Sequence, residues 1–535
     1  MKPAAALTSL SVAIAAFTAV GLRTIQPPSV SSGQGDKAVF SVERALNDVK
    51  NIAKEPHPVG SAAQRAALEY IAAQLHDCPL DVKFLHGSVN GISLTDVLAS
   101  SRVEGRSNVI LLAAHYDSVP AGPGASDDAS GVATLLETAR TLNATNPGKN
   151  QVAFLFTDGE EIGCLGAKMF AEGAPDLLKN VRIVLNFDSG GNRAPAVMFE
   201  TGPRNLALIR ALQACPYPVA TSFAQDVYRM MPFYTDMTVF LRAGLTGLNF
   251  SVIEGGEAYH TALDTWQTMD PRVLAHYGSL ATTLVRLLAS TDLDSLNSAQ
   301  DAIYFTILRG VLVAYPQSWA LPLAVAGCAF CLGLLAAGLV RKRLKILHVL
   351  WGALLAVCFP ALAAASAAGF LWFLRLCFQT RSNGVYLQVP HAGPIAAASI
   401  ILTILAVVAA KYFLARRFAS AEILGGALLV WLALAVGTAI WLRGFSYLFL
   451  WPAVFATVAL GIISRQGEPT TLASMLAVVC TVAAGCLLFS YTMLLAYYSL
   501  TIGLLPLLVG LASLLSFLFY APFASTSQGP ASLRC

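Results

Sequence analysis

Imidazoles and carboxylates recur in this chain at the ends of apolar runs, and their types suit a divalent cation. "AAHYDS" supplies His115 and Asp117, and "GPGASDDASG" supplies Asp127 and Asp128. "TDGEEIG" supplies Glu160 and Glu161, "LNFDSGG" supplies Asp188, and "EAYHTALDT" supplies His260 and Asp264. Brought to one place without a cation, these acids would repel one another and their pKa values would rise. A divalent ion removes that conflict. Histidine and carboxylate ligands without a thiolate suit zinc in a catalytic site that keeps an open position. One such ion takes about three protein ligands. This set is large enough for two, and paired ions share a bridging carboxylate and a water.

Elements must position these residues, and the apolar runs supply them. "NVILLAAHYDS", "QVAFLFTDGEE" and "VRIVLNFDSGG" read as buried parallel strands, with a fourth in "GLTGLNFSV". Helical patterns such as "GVATLLETARTL" lie between them. The alternation predicts an α/β domain with a mostly parallel central sheet flanked by helices, over residues 36–293. Each strand ends in polar residues, and the carboxyl ends of strands are where open α/β sheets build their sites.

The chain has two characters. It has 535 residues, 56% of them hydrophobic and only 12% charged, where a soluble domain carries about 25% charge. Before residue 301 there are 28 acids against 22 Lys and Arg; from there on, 3 acids face 13 bases. Residues 317–522 predict an all-α membrane domain of about seven spans, near 319–339, 348–374, 395–414, 422–442, 446–464, 471–491 and 498–520. Residues 294–316 read as a junction and 523–535 as a tail. Residues 1–35 read as an apolar anchor, or a signal segment, with a turn-rich linker. Arg341, Lys342, Arg343 and Lys345 follow the first span. Lys411, Arg416 and Arg417 follow the third, and Arg465 the fifth. The positive-inside rule makes these loops cytosolic. The α/β domain then faces the other side: the periplasm in a bacterium, the vacuole or endoplasmic reticulum in a eukaryote. No basic patch interleaves with aromatics, so nucleic acid is not an expected partner.

"HYDS", "GASDDASG", "DGEEIG", "FDSGG" and "YHTALDT", in this order, resemble the co-catalytic zinc peptidases, the family of bacterial leucyl aminopeptidase and aminopeptidase Y. A peptidase domain ahead of a multi-span tail is similar to a subgroup with the fungal vacuolar membrane protease and the endoplasmic-reticulum metallopeptidase. The resemblance implies two Zn2+ ions and a zinc-peptidase fold. It also implies hydrolysis of peptide bonds by a zinc-activated water, as an aminopeptidase acting on peptide substrates. His115 would bind one ion and His260 the other. Asp127 would bridge them, and Glu161 and Asp188 would complete the sites. Glu160 would be the general base. Asp117 would orient His115, which fits a carboxylate two residues along the same strand and on the same face.

Blander roles exist for single residues. Asp128 suits a helix N-cap. For Asp264, support of the site and a simple turn are equally open. Tyr228 and Tyr234 are candidate donors to a transition state, though packing is the commoner role, and His57 marks a loop before a helix. Asn143 and Asn249 begin glycosylation sequons, the second in an expected buried strand. The rival function is a transporter or assembly protein with the α/β domain as a binding module. The scarcity of acids in the spans argues against a cation-coupled pathway.

Overall fold

The computed structural model describes residues 3–30, 38–101, 108–143, 148–173, 178–296, 298–377, 381–383, 386–388, 392–414, 418–466 and 472–519. The chain divides into two compact units. One is Thr24–Gln317; the other joins Met1–Arg23 to Ser318–Cys535.

The first unit is built on a seven-stranded sheet. Its strands are β1 (Leu80–Val89), β2 (Ile92–Ser101), β3 (Val109–His115), β4 (Gln151–Thr157), β5 (Val181–Ser189), β6 (Arg193–Thr201) and β7 (Gly247–Glu254). Their order is β1-β2-β4-β3-β5-β7-β6. The four strands expected from the apolar runs are the parallel centre, β4-β3-β5-β7. β1, β2 and β6 join antiparallel.

The central strands are largely apolar because both faces are covered, as a parallel sheet requires, and the buried Asn186 and Asn249 are joined by a hydrogen bond of 2.9 Å. Alternate residues feed two cores. Ile110, Leu112, Phe154, Phe156, Leu185 and Phe187 pack on one side. The helices Ala129–Asn143 and Arg272–Ser290 cover that side, through Val132, Leu136, Tyr277 and Leu284. Leu111, Ala113, Leu155 and Val184 point to the other side, against Phe170, Met237 and Phe240. Truncating a core Phe such as Phe154 to Ala costs about 3–5 kcal/mol. The sheet is thus a rigid frame, and its carboxyl edge is where loops leave it. The segment read as a junction forms a hairpin, β8 (Ala302–Leu308) with β9 (Val311–Pro316), inside this unit. Thr306 N–H there donates to Ala220 O at 3.0 Å.

The second unit is helical. Its helices include Pro3–Thr24, Ala320–Val340, Ile346–Cys377, Ala392–Leu414, Ser420–Trp441, Ser446–Gln466, Leu472–Leu500 and Leu505–Leu518. Among the described residues, six stretches are long and apolar enough to cross a bilayer; Ala392–Val407 and Ser9–Thr24 are shorter apolar helices. Two expected boundaries move: the helix expected to end at 491 runs on to Leu500, and the next begins at Leu505 rather than 498. No breaker interrupts "YTMLLAYYSL", so the helix continues. Ile346–Cys377 and Ser420–Trp441 cross closely at Gly426, where an added Cβ would meet Val349 O and the Ala353 nitrogen, each at 2.3 Å. Small residues permit such approaches between membrane helices. Glu422 is 4% exposed and accepts hydrogen bonds from Lys345 N–H (2.9 Å) and Ala419 N–H (3.1 Å), with His348 Nδ1 at 2.6 Å. One carboxylate so ties the starts of two helices. The expected tail at 523–535 lies outside the described residues.

Candidate metal centre

β3 ends at His115, β4 at Thr157 and β5 at Ser189, so their carboxyl ends deliver His115, Glu160, Glu161 and Asp188 to one edge. Asp127 comes from the loop before the helix Ala129–Asn143, and His260 from the turn after β7. His260 holds φ 56°, a left-handed conformation uncommon for a residue other than glycine. Such backbone strain concentrates at functional sites.

The residues form two groups with one member in common. His115, Asp127 and Asp188 offer ligand atoms within 4.8 Å of one another, and so do Asp127, Glu161 and His260. Asp127 Oδ1 lies 3.2 Å from His115 Nε2, while Oδ2 lies 3.3 Å from His260 Nε2. Asp188 Oδ1 is 4.0 Å from His115 Nε2, and Glu161 Oε2 is 2.9 Å from His260 Nε2. Each imidazole thus faces one oxygen of the shared Asp127 and one further carboxylate.

The supports differ in part from expectation. β3 stops at His115, so Asp117 lies beyond the strand and not on its face. It still reaches His115: its backbone O is 3.1 Å from Nδ1 and its Oδ1 3.5 Å. The Asp117 carboxylate also accepts Glu160 N–H at Oδ1 (3.0 Å) and Glu161 N–H at Oδ2 (3.3 Å). That double grip fixes the turn from which the two glutamates diverge. Glu161 reaches His260, whereas Glu160 Oε1 accepts from Cys164 Sγ at 3.4 Å.

Asp264 is 3% exposed; its Oδ1 accepts Ser126 N–H at 2.8 Å and its Oδ2 accepts Asp127 N–H at 3.1 Å. These bonds tie its carboxylate to the backbone of the loop that carries Asp127. Asp128 Oδ1 accepts Gly131 N–H at 3.0 Å, capping the helix as expected. His57 precedes the helix Ala62–His76 and donates its N–H to Ser118 Oγ at 2.8 Å, bracing the segment after His115.

Tyr228 packs edge-on against Phe199 at 4.7 Å, and Tyr234 is exposed under the Arg242 guanidinium. The tyrosine that adjoins the carboxylates is Tyr259, which sequence reading passes over. Its ring stacks on His260 at 3.8 Å. Burial pushes its hydroxyl pKa up, and the charges of Asp127, Asp188, Glu161 and Glu160 push it further. The only sequence signal for it is adjacency to His260. Asn249 is fully buried against Asn186, Glu200 and Thr235, which closes its sequon; the Asn143 sequon runs into residues outside those described.

The electrostatics fit a divalent cation. Burial pushes the Glu161 carboxyl up to about 7 and Asp188 to about 6, with Asp127 adding to both. Burial also raises Asp127, but its hydrogen bonds to His115 and His260 outweigh that and hold it below the ordinary range. Burial disfavours a charged His260, yet the hydrogen bonds to Asp127 and Glu161 lift it to about 10. Raised carboxyls of this kind are what clustered buried acids show when no cation offsets their charge. Glu161 Oε1 is buried with no hydrogen-bond partner, which leaves a lone pair for a metal. The donor set of imidazoles and carboxylates is that of zinc.

The imidazole and carboxylate cluster at the carboxyl edge of the parallel strands defines a candidate metal centre. Residues 96–285 match the model of Peptidase family M28. The vacuolar membrane protease of Candida albicans (strain WO-1) is 31% identical over 287 residues, covering 52% of this chain and 33% of that protein. Endoplasmic reticulum metallopeptidase 1 of Mus musculus is 27% identical over 311 residues, covering 56% of this chain and 33% of that protein. These matches span about a third of the length of the curated relatives. A solved structure, the aminopeptidase from Aneurinibacillus sp. strain AM-1, is 15% identical and aligns over 46% of this chain and 94% of that chain, with a TM-score of 0.38.

Proposed function

We propose that this chain is a membrane-embedded metallopeptidase with two zinc ions, cleaving N-terminal residues from peptides on the non-cytosolic side of its membrane. The observation that carries the reading is the shared Asp127, each oxygen of which faces a different imidazole. His115 and Asp188 would hold one ion and His260 and Glu161 the other, with Asp127 between them. When bound, zinc supplies a Lewis acid that polarises the scissile carbonyl and acidifies a water.

The chain's own groups do the rest. Glu160 belongs to neither group of ligands. Burial raises its pKa well above the ordinary carboxylate value, and Asp188, Asp236 and Glu161 add to the rise. A carboxylate tuned upward is suited to take a proton from the attacking water and return it to the leaving amine. Asp117 positions that base through the Glu160 N–H and orients His115 at the same time. The Tyr259 ring stacks on His260 at 3.8 Å, which makes its hydroxyl the candidate donor to charge developing on the substrate oxygen. The basic residues 341–345 support a cytosolic loop after the first span and a peptidase domain on the opposite side.

The test is a metal determination on the purified full chain in detergent, combined with digestion of a peptide library. The reading requires two zinc ions per chain and stepwise loss of residues from amino termini. Trimming from carboxyl termini, or one ion per chain, would overturn it.

A further inference from the structure

Beside the metal centre lies a second set of donors. Glu160, Cys164 and Asp236 each offer a ligand atom within 4.8 Å of the other two. Asp236 opens the helix Asp236–Arg242 and is 2% exposed. One of its oxygens accepts from the Thr157 hydroxyl, while the other, Oδ1, has no hydrogen-bond partner. A buried carboxylate oxygen left unpaired is costly, and a bound cation would satisfy it. Cys164 is 3% exposed and is brought back beside Glu160 by a tight turn: its N–H donates to Glu160 O at 2.8 Å, and its own φ is 54°.

We infer that Glu160, Cys164 and Asp236 form a third metal site, an inhibitory one, for a thiophilic divalent cation such as Zn2+ in excess or Cd2+. One sulfur and two carboxylates are a donor set that zinc accepts, and the sulfur adds affinity for thiophilic cations. Donors around a tetrahedral zinc sit about 3.5 Å apart, so binding would draw the three side chains closer together. Binding is an exchange: the cation forms a bond to Cys164 Sγ, and the thiol proton leaves to solvent. No electron moves. The inhibition rests on the reading of Glu160 as the base, because an ion held there occupies the carboxylate that must move the proton. Catalysis would then run at limiting zinc and stop in excess, and the two kinds of site differ by one sulfur.

The experiment uses the full chain in detergent, loaded with zinc, and titrates in Cd2+ and separately Zn2+. Three quantities are read: metal bound per chain, the near-ultraviolet thiolate-to-cadmium absorption, and peptide turnover. The expected result is one further ion per chain, with the thiolate band rising as turnover falls. Cys164→Ser should lose the band and bind the further ion at least about tenfold more weakly, the loss that even an outer partner costs a metal site. Asp236→Asn should weaken it likewise while keeping the thiol, which guards against a Cys164 variant that fails to fold. Absence of the band in the wild type, or inhibition of Cys164→Ser at the wild-type zinc concentration, would overturn the site. The band and the stoichiometry need no turnover, so they remain readable if the peptidase reading itself fails.

Discussion

Asp264 holds Asp127 by its backbone: Oδ2 accepts the Asp127 N–H at 3.1 Å, and Oδ1 of the same carboxylate accepts the neighbouring Ser126 N–H at 2.8 Å. The side chain that faces both imidazoles is therefore aimed by a residue 137 positions later in the chain. Asp264→Asn presents an amide group to one of two N–H donors and loses that bond. Its zinc affinity should fall about 10–100-fold, the cost of removing an outer support from a metal site. Competition with a chelator on the folded variant checks this. Unchanged affinity would reduce Asp264 to a turn.

The two adjacent glutamates should fail in different ways. Glu160→Gln keeps the shape and the ligands, so it should retain both ions while turnover drops about 10²–10⁴-fold, the usual worth of a general base. Glu161→Ala removes the partner of His260 and should lose metal first. Parallel metal and rate measurements separate the two, and a Glu160→Gln protein of normal activity would end its assignment as base.

Gly166 is where the turn carrying these glutamates leans on its support. An added Cβ would lie 2.4 Å from Asp96 Oδ1 and 2.5 Å from Asp158 O. Asp96 in turn accepts the Asp158 N–H at 2.9 Å, and Gln64 Nε2 donates to Asp158 Oδ1 at 2.6 Å. Little of this can yield. Gly166→Ala should cost about 1–3 kcal/mol by overpacking and lower turnover as well, since the turn would shift. Thermal melting and rate on the same sample decide the point, and an active, unshifted variant contradicts it.

Stability should fall with acid through His276. This residue is fully buried; its Nδ1 accepts the Ala196 N–H at 3.0 Å and its Nε2 faces Tyr217 O at 2.8 Å. Both nitrogens are satisfied by the neutral ring, and burial lowers its pKa from 6.5 to about 4. The unfolded chain takes up the proton first as pH falls. The contribution is thus complete above pH 6.5 and is lost between there and about 4, amounting to about 3 kcal/mol. His276→Gln can make both bonds without titrating. Its melting temperature should vary less with pH across that window than the wild type's, and equal slopes would remove His276 as the cause.

Much of the site is legible in the residues alone because its chemistry and its scaffold coincide. β3, β4 and β5 are apolar runs that end in histidine or acid, and a strand buried on both faces announces itself by unbroken hydrophobicity. Other elements carry weaker signals. β1 is partly exposed along its length and β6 opens on an exposed arginine. The β1–β2 hairpin did have a marker, Asn90-Gly91, with φ 53° and 80° between Val89 and Ile92, the pair that suits a two-residue turn. Tyr259 and the grip of Asp117 on two backbone N–H groups are products of tertiary proximity, which no periodicity encodes.

The sheet order has a consequence for biosynthesis. β7 is the last strand of the sheet to be made, yet it lies between β5 and β6, and β6 pairs with β7 within the sheet. While the ribosome is still extending the chain beyond β6, that strand has no place to dock, and His260 follows β7. The cluster therefore cannot be complete until the late strand has inserted. Pairings so distant in sequence form slowly. Until then His115, Asp127, Glu161 and Asp188 have been made without the second imidazole, so His260 is the last member of the cluster to be delivered.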